Sequence, residues 1–418
     1  MNRREFLAGA GGIAAAAAGA SAAAPDFAEV RKNFPRAVKE TYFNAAAQHP
    51  LGLHAVRAME GYMDFMCNGW TGGLRDFWEE GFPQIKPMFA RLIHAKPAEI
   101  AFTGSTTIGE NTLVNGMDLR GGNVVTNDLH YSTSISDYLT RQKLQGLEVR
   151  IVRNRDWTID PADMERAVDR KTRLIAVSLV SSVNGHLEDI RKLADLAHAH
   201  GAYLYADIIQ GCGAIPIDVK AMGIDMASCA MYKWLMGEHG FGFLYVREDL
   251  IGAAVKGTMF EGHPELNYSP WVKEPAPGKP DIGNHPTSGI GTLECGTPSV
   301  ITYAAQHASL KYIESIGIPN IRSHARPLVE RLRKELPPLG YTCITPAGTE
   351  TSIVTFISHD IDATRRKIQQ ANATGKAKIS ITGPNSALTV GRFGNHVRFS
   401  VSVYNNDHDV DKVLEVLS

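Results

Sequence analysis

AYLYADIIQGCGAIPIDVKAMGIDMASCAMYKW, residues 202–234, contains two apolar runs, each ending beside a reactive side chain. The first run, Tyr203–Ala206, leads into Asp207 and Gln210; the second, Met226–Ala230, leads into Lys233. Each run has the length and apolar character of a buried strand. An Asp at a strand end and a Lys on a following loop together supply a carboxylate and a sequestered amine. Such an amine can condense with an aldehyde. The carboxylate can face a ring nitrogen whose positive charge draws electrons from a neighbouring carbanion. The pair predicts chemistry that turns on an amino group.

Around this stretch, strand and helix patterns alternate. Ile100–Thr103, Asn123–Asn127, Val149–Val152, Leu174–Leu179 and Phe241–Val246 read as further strands. Helical spacing is clearest in Leu187–His200, where Ile190, Leu193, Ala194 and Ala197 share one face. The alternation predicts an α/β fold with a mostly parallel sheet of seven strands covered on both faces. Ligands of such sheets collect at the carboxyl ends of the strands, where Asp207 falls. Before the sheet, Tyr42-Phe43-Asn44 reads as a short strand, and Leu53–His94 as helices broken at Asn68-Gly69 and Thr71-Gly73. Beyond it, Val272–Gly291 is rich in Pro and Gly and shows no period. Val300–Ile316 and Ala325–Leu336 then read as helices, and Ser352–Ile357, Lys378–Ile381 and Val397–Val403 as strands of a smaller C-terminal α/β domain. The expected division is an export signal at 1–22, an N-terminal segment at 23–45 packing on the small domain, a large domain at 46–295 and the small domain at 296–418.

Composition narrows the function. The 418 residues carry a formal net charge of −1, so no basic field points to nucleic acid. A small-molecule partner is expected. The five cysteines have no CxxC spacing, and the fifteen histidines include no HExxH. Neither a structural zinc site nor a disulfide framework is expected, and His198 and His200 point in different directions on one helix. No GxSxG is present and Ser105 has no evident base, so a serine hydrolase is excluded.

Asn2-Arg3-Arg4-Glu5-Phe6-Leu7 precedes an Ala/Gly-rich run, Ala8–Ala20, and then Ala20-Ser21-Ala22. This is the plan of a twin-arginine export signal, cleaved after Ala22, and it predicts a periplasmic or secreted protein. The run is too short and too weakly apolar for a stable membrane anchor.

Two more segments bear on chemistry. Phe102-Thr103-Gly104-Ser105-Thr106-Thr107-Ile108-Gly109 follows a strand and opens a helix, where free amides and hydroxyls suit an anion such as a phosphate. His130, in Asp128-Leu129-His130-Tyr131-Ser132-Thr133, follows another strand, and its flat ring can lie against a heterocycle.

In this collinear order the chain resembles the class V aminotransferases, a fold-type I family dependent on pyridoxal 5'-phosphate that includes cysteine desulfurases, isopenicillin N epimerase and kynureninase. The resemblance rests on Gly104–Gly109, His130–Thr133, Asp207–Gln210, Tyr232–Val246, Gly296-Thr297-Pro298 and Arg398–Asn405. It implies that Lys233 binds the cofactor aldehyde and shuttles the substrate α-proton, with Asp207 on the pyridinium nitrogen. It also implies Gln210 on the ring hydroxyl, His130 stacked on the ring, Thr106 and Thr107 on the phosphate, and Thr297 on the phosphate of a neighbouring subunit, hence a homodimer. Tyr232 precedes the lysine within the same motif. Arg398 would bind the substrate carboxylate through a bidentate pair.

The chain departs from the desulfurases in three places. Ile379–His396 holds no Cys to receive sulfur, Ala230 and Tyr232 stand where desulfurases carry Ser and His, and Ser182 stands near the ring hydroxyl in place of Asn. TGSTTxG with HYST and an export signal is similar to the exported class V enzymes that tailor pyoverdine-type siderophores. Amino transfer on an amino acid or small peptide is the leading expectation. The alternatives are a carbon–sulfur lyase, an epimerase, or a non-catalytic binding protein that keeps the cofactor fold.

Overall fold

The computed structural model describes residues 25–69, 81–258, 289–294, 296, 299–382 and 394–418. Strand β1 (Thr41–Tyr42) belongs to the N-terminal segment. Strands β2 (Ile100–Thr103), β3 (Asn123–Asn127), β4 (Glu148–Val152), β5 (Thr172–Ser178), β6 (Tyr203–Asp207), β7 (Met226–Ala230) and β8 (Gly242–Val246) form one seven-stranded sheet. Its order is β2-β8-β7-β6-β5-β3-β4, and only β8 runs against its neighbours. The expected mostly parallel sheet of seven strands is the one found.

Why these runs form a doubly covered sheet is visible in where alternate residues go. In β5, Leu174 and Ala176 enter one buried cluster while Ile175 and Val177 enter another. In β8, Leu244 and Val246 divide from Phe243 and Tyr245 in the same way. Successive side chains of a strand point to opposite faces, so an unbroken apolar run needs cover on both. Helix Ile190–Ala199 covers one face with Ile190, Leu193, Ala194 and Ala197. Helix Thr106–Gly116 covers the other, lying on β7 and β8. Gly109 permits that approach, since a Cβ there would sit 2.9 Å from the Cβ of Ser228.

Because β8 alone is reversed, β2, β3, β5, β6 and β7 all end at the same edge. Their carboxyl ends are Thr103, Asn127, Ser178, Asp207 and Ala230. The segments leaving that edge contain Thr106, His130, Ser182 and Lys233.

A second core is built by β9 (Tyr341–Cys343), β10 (Ile353–Ser358), β11 (Ile379–Ser380) and β12 (His396–Ser400) with helices Ile318–Glu335, Ile361–Thr374 and Asp407–Leu417. Strands β9, β10 and β12 form an antiparallel sheet in the order β12-β10-β9, and β1 pairs in parallel with β11. The N-terminal segment is tied here by more than that pairing. Arg31 grips the carboxylate of Asp409 at 2.6 and 3.0 Å, and Phe27 stacks on His324 at 3.8 Å. Helix Val300–Ile316, by contrast, packs on Leu53–Asn68 and sends Tyr303, Leu310, Ile313 and Ile316 into the larger core.

Boundaries shifted in places. Helix Ile318–Glu335 begins a full turn or more before Ala325, because Pro319 sits in its first turn, where a missing N–H costs nothing. The strand near Phe43 is Thr41–Tyr42, with Phe43 turned into the second core. The export signal at 1–22, the Thr71-Gly73 break and most of Val272–Gly291 lie outside the described residues. No helix among the described residues is long and apolar enough to cross a membrane.

Candidate active site

One small cavity at the carboxyl edge of the large sheet is lined by Thr106, Thr107, Ser182, Asp207, Gln210, Tyr232 and Lys233, together with Ser105, Tyr131, Ser178 and Ile209. Seven residues expected from sequence therefore meet in one place. His130 and Arg398 stand one contact away, His130 against Ser178 and Arg398 against Ser182. Thr297 lies outside the described residues.

The anion end is the start of helix Thr106–Gly116. Ser105 caps it, its Oγ accepting from the Ile108 amide at 3.1 Å. The other first-turn amides have no intrahelical acceptor, so the helix end is electropositive. Thr106 Oγ1 accepts from the Ala230 amide at 2.9 Å, and the Thr106 carbonyl accepts from Ser228 Oγ at 3.0 Å. These bonds fix the helix start against β7, a few residues from Lys233.

Asp207 ends β6 and is 2% exposed. Burial raises its carboxyl to about 6, even though nearby His130, the Ile209 amide (donating at 3.0 Å) and Lys233 all favour the charged form. A cationic partner placed against it would recover the charged form.

Lys233 follows β7 on a tight turn. The Met236 amide donates to the Lys233 carbonyl at 2.9 Å, and Met236 holds φ at 59°. That left-handed conformation is uncommon for a long side chain and is retained only where surrounding packing imposes it. Burial lowers the Lys233 amine to about 8, with the Arg398 charge acting in the same direction and Asp207 opposing it. Its Nζ lies 5.9 Å from the ring centre of Tyr131 and 5.6 Å from that of Tyr232. Tyr232 is held in turn by a stack on His239 at 4.0 Å, and its carbonyl accepts from the His49 amide at 2.9 Å.

Arg398, on β12, reaches from the second core into the large domain. It donates to the Ser182 carbonyl and, at 2.9 Å, to Thr382 Oγ1. Its Nε is buried without a hydrogen-bond partner. Burial lowers the guanidinium to about 10, and Tyr131 acts in the opposite direction. A buried guanidinium with an unused donor, and with no carboxylate on it among the described residues, is prepared for an anionic ligand.

Gln210 is already engaged on two sides. Its Oε1 accepts from the Trp234 indole at 2.9 Å and its Nε2 donates to the Ala46 carbonyl at 3.0 Å. One amide hydrogen remains for a ligand. Trp234 and Ala46 were not singled out from sequence, because their link to Gln210 spans distant parts of the chain. Tyr131 was quoted within the HYST motif without a role, yet its ring forms part of the cavity wall.

Glu110 was missed altogether. It is 2% exposed and faces His130, with Oε1 3.4 Å from Nε2. Ser134 Oγ donates to it at 2.5 Å and Tyr138 OH at 2.8 Å. The only signal in the sequence is that Ser134 and Tyr138 stand four apart, hence on one helix face.

The model of the family described as aminotransferase class V matches residues 42–413. A protein of Methanothermobacter thermautotrophicus described as a probable cysteine desulfurase is 29% identical over 80% of this chain and 82% of its own. The apo cysteine desulfurase of Thermococcus onnurineus NA1 superposes with a TM-score of 0.76 at 25% identity, covering 93% of this chain and 96% of that one. The cystine C–S lyase C-DES, in complex with its product cysteine persulfide, superposes at 0.77 with 20% identity over 92% of this chain and 98% of its own. A buried amine, a buried carboxylate and an electropositive helix start sharing one cavity fit pyridoxal 5'-phosphate, on which that family depends. The chain belongs to the aminotransferase class V family and is a pyridoxal-phosphate-dependent enzyme.

Proposed function

We propose that the protein acts on the α-amino group of an amino acid or small peptide that also presents a carboxylate, and that it transfers this amino group to a keto acid. One observation carries the reading: Lys233 and Asp207 share a buried cavity, and Arg398, with an unpaired Nε, is close enough to influence the Lys233 amine. When bound, the cofactor supplies an electron sink for the carbanion at the substrate α-carbon. With the cofactor bound, Asp207 would hold the ring nitrogen in its charged form. Thr106, Thr107 and the first-turn amides would hold the phosphate, Gln210 and Ser182 would serve the ring hydroxyl, and His130 would lie against the ring. Arg398 takes the substrate carboxylate. Lys233, brought toward neutrality by burial, would take the substrate α-proton as general base and hold it on Nζ. Tyr232 and Tyr131 keep water from that amine. By the family resemblance, Thr297 of a second copy would reach the phosphate, and the working unit would be a homodimer.

A second reading, carbon–sulfur cleavage, is favoured by the relatives described as a probable cysteine desulfurase and a cystine C–S lyase. Ile379–His396 contains no Cys, so sulfur would leave by elimination and not onto a protein thiol in that stretch. Incubating the cofactor-loaded protein with an amino-acid panel and a keto acid separates the possibilities. Keto-acid-dependent amino transfer supports the proposal. Release of sulfide, persulfide or pyruvate supports the second reading, and inversion alone supports epimerisation. No change in the visible spectrum with any amino acid contradicts all three and leaves a binding protein.

The same proposal places the protein in the periplasm or outside the cell, through the twin-arginine machinery. The support is Arg3-Arg4 before Ala8–Ala20 and Ala20-Ser21-Ala22. Replacing Arg3 and Arg4 by Lys and fractionating the producing cells tests it: the protein then stays inside. Unchanged export contradicts it.

A further inference from the structure

Glu110 lies on the helix whose first turn lines the cavity, but it points into protein and not toward the cavity. An apolar side chain would occupy this place without the cost of desolvating a charge. The carboxylate is kept charged all the same. Burial raises its pKa, but the bonds from His130, Ser134 and Tyr138 outweigh burial and hold it below the ordinary carboxylate range. All four side chains in this group are buried.

His130 is gripped from both sides. Its Nε2 faces Glu110 Oε1 at 3.4 Å, and its Nδ1 lies 2.9 Å from Ser178 Oγ. Ser178 lines the cavity and pairs in register with Asp207 on the neighbouring strand. An ionised carboxylate can only accept, so the nitrogen facing it carries a hydrogen. Nδ1 is then the acceptor for the Ser178 hydroxyl, which can turn to donate. We propose that Glu110 is a positioning residue that fixes His130 in the tautomer with hydrogen on Nε2 and pins its ring beside Asp207. The proposal rests on the reading above only in that His130 is the ring facing the cofactor; the tautomer itself belongs to the protein alone.

The test uses the full chain labelled with 15N-histidine, with the His130 resonances assigned by their loss in H130N. In the cofactor-free protein, Nε2 should be protonated and Nδ1 not. In E110L no acceptor faces Nε2 and Nδ1–H can donate to Ser178 Oγ, so the hydrogen should move to Nδ1 and the two shifts exchange. Y138F removes one donor but keeps the carboxylate, and should leave the wild-type pattern; with the wild-type measurement it keeps the test decisive should E110L not fold. Hydrogen on Nδ1 in the wild type, the same tautomer in E110L, or an exchanged pattern in Y138F would each overturn the proposal. In the loaded enzyme, E110L should lower kcat by roughly tenfold to a hundredfold, as loss of an orienting partner does, while KM for the amino acid, set by Arg398, stays put. A wild-type spectrum as expected alongside no cofactor attachment at Lys233 would sink the functional reading and leave the tautomer assignment standing.

Discussion

Gly213 and the carbonyl of Trp234 are in such close approach that a Cβ on the glycine would stand 2.4 Å from the carbonyl oxygen. Gly213 also holds φ at 96°, in the region that favours glycine. The turn that follows Asp207 is thus pressed directly against the turn that carries Lys233. The acid and the amine are held at a fixed separation by backbone meeting backbone.

Gly213→Ala should therefore act on both turns at once. The expected loss is about 1–3 kcal/mol of stability, the range for strain and displaced packing together. For a chain of 418 residues that is a fall of about 1–3 °C in Tm. The visible absorbance of the cofactor-loaded protein should shift as well, since Lys233 moves. A thermal melt and a spectrum check both; an unchanged melt would show that the two turns do not bear on each other.

Arg398→Lys should not rescue Arg398→Ala. A lysine presents a point charge and cannot reach Ser182, Thr382 and a carboxylate at once. Both variants should raise KM for α-amino acids by about 30-fold or more, matching a lost charge-assisted contact of about 2 kcal/mol or above. The corresponding amino-acid amides, which lack the carboxylate, should show a much smaller change. Steady-state kinetics on matched acid and amide pairs decides it.

Stability should fall in mild acid through His49. Burial lowers its imidazole to about 3, from an ordinary value near 6.5. Below 6.5 the unfolded chain takes up a proton at this position that the folded one refuses. The stability is fully present above pH 6.5 and drains away as pH falls toward 3. By pH 4.5 the contribution of His49 to the loss is about 2–3 kcal/mol. His49 Nε2 meets Ser402 Oγ at 2.8 Å and its amide holds the Tyr232 carbonyl, so the weakened place joins the second core to the lysine turn. Urea unfolding at pH 7 and pH 4.5 should show a smaller difference in His49→Gln than in the wild type.

Cofactor attachment should follow the Lys233 amine. With that group near 8, the rate of reconstitution of the cofactor-free protein should rise steeply between pH 7 and 8 and level off above. A reconstitution rate that is flat across this range would mean that the buried amine is not the group that titrates.

Much of this is legible in the sequence alone. Asp207, Lys233 and Arg398 stand out because charged side chains at the ends of apolar runs are rare unless something needs them. The sheet strands were legible because a strand covered on both faces reads as an unbroken apolar run. The reversal of β8 was not, since the same run suits either direction once both faces are buried. The early start of helix Ile318–Glu335 was hidden because Gly317-Ile318-Pro319 looks like a break when it is the helix entrance. Glu110 and Trp234 were hidden for a deeper reason: their roles come from partners brought together by the fold, and neither carries a local mark.

The central claim is that Lys233 is the amine on which the cofactor chemistry rests. Borohydride reduction of the cofactor-loaded protein, followed by peptide mass analysis, tests it most directly. The account predicts a single cofactor-sized mass increment on the peptide containing Lys233, absent in Lys233→Ala together with the visible absorbance band. An increment on another lysine, or a band that survives in Lys233→Ala, would contradict it.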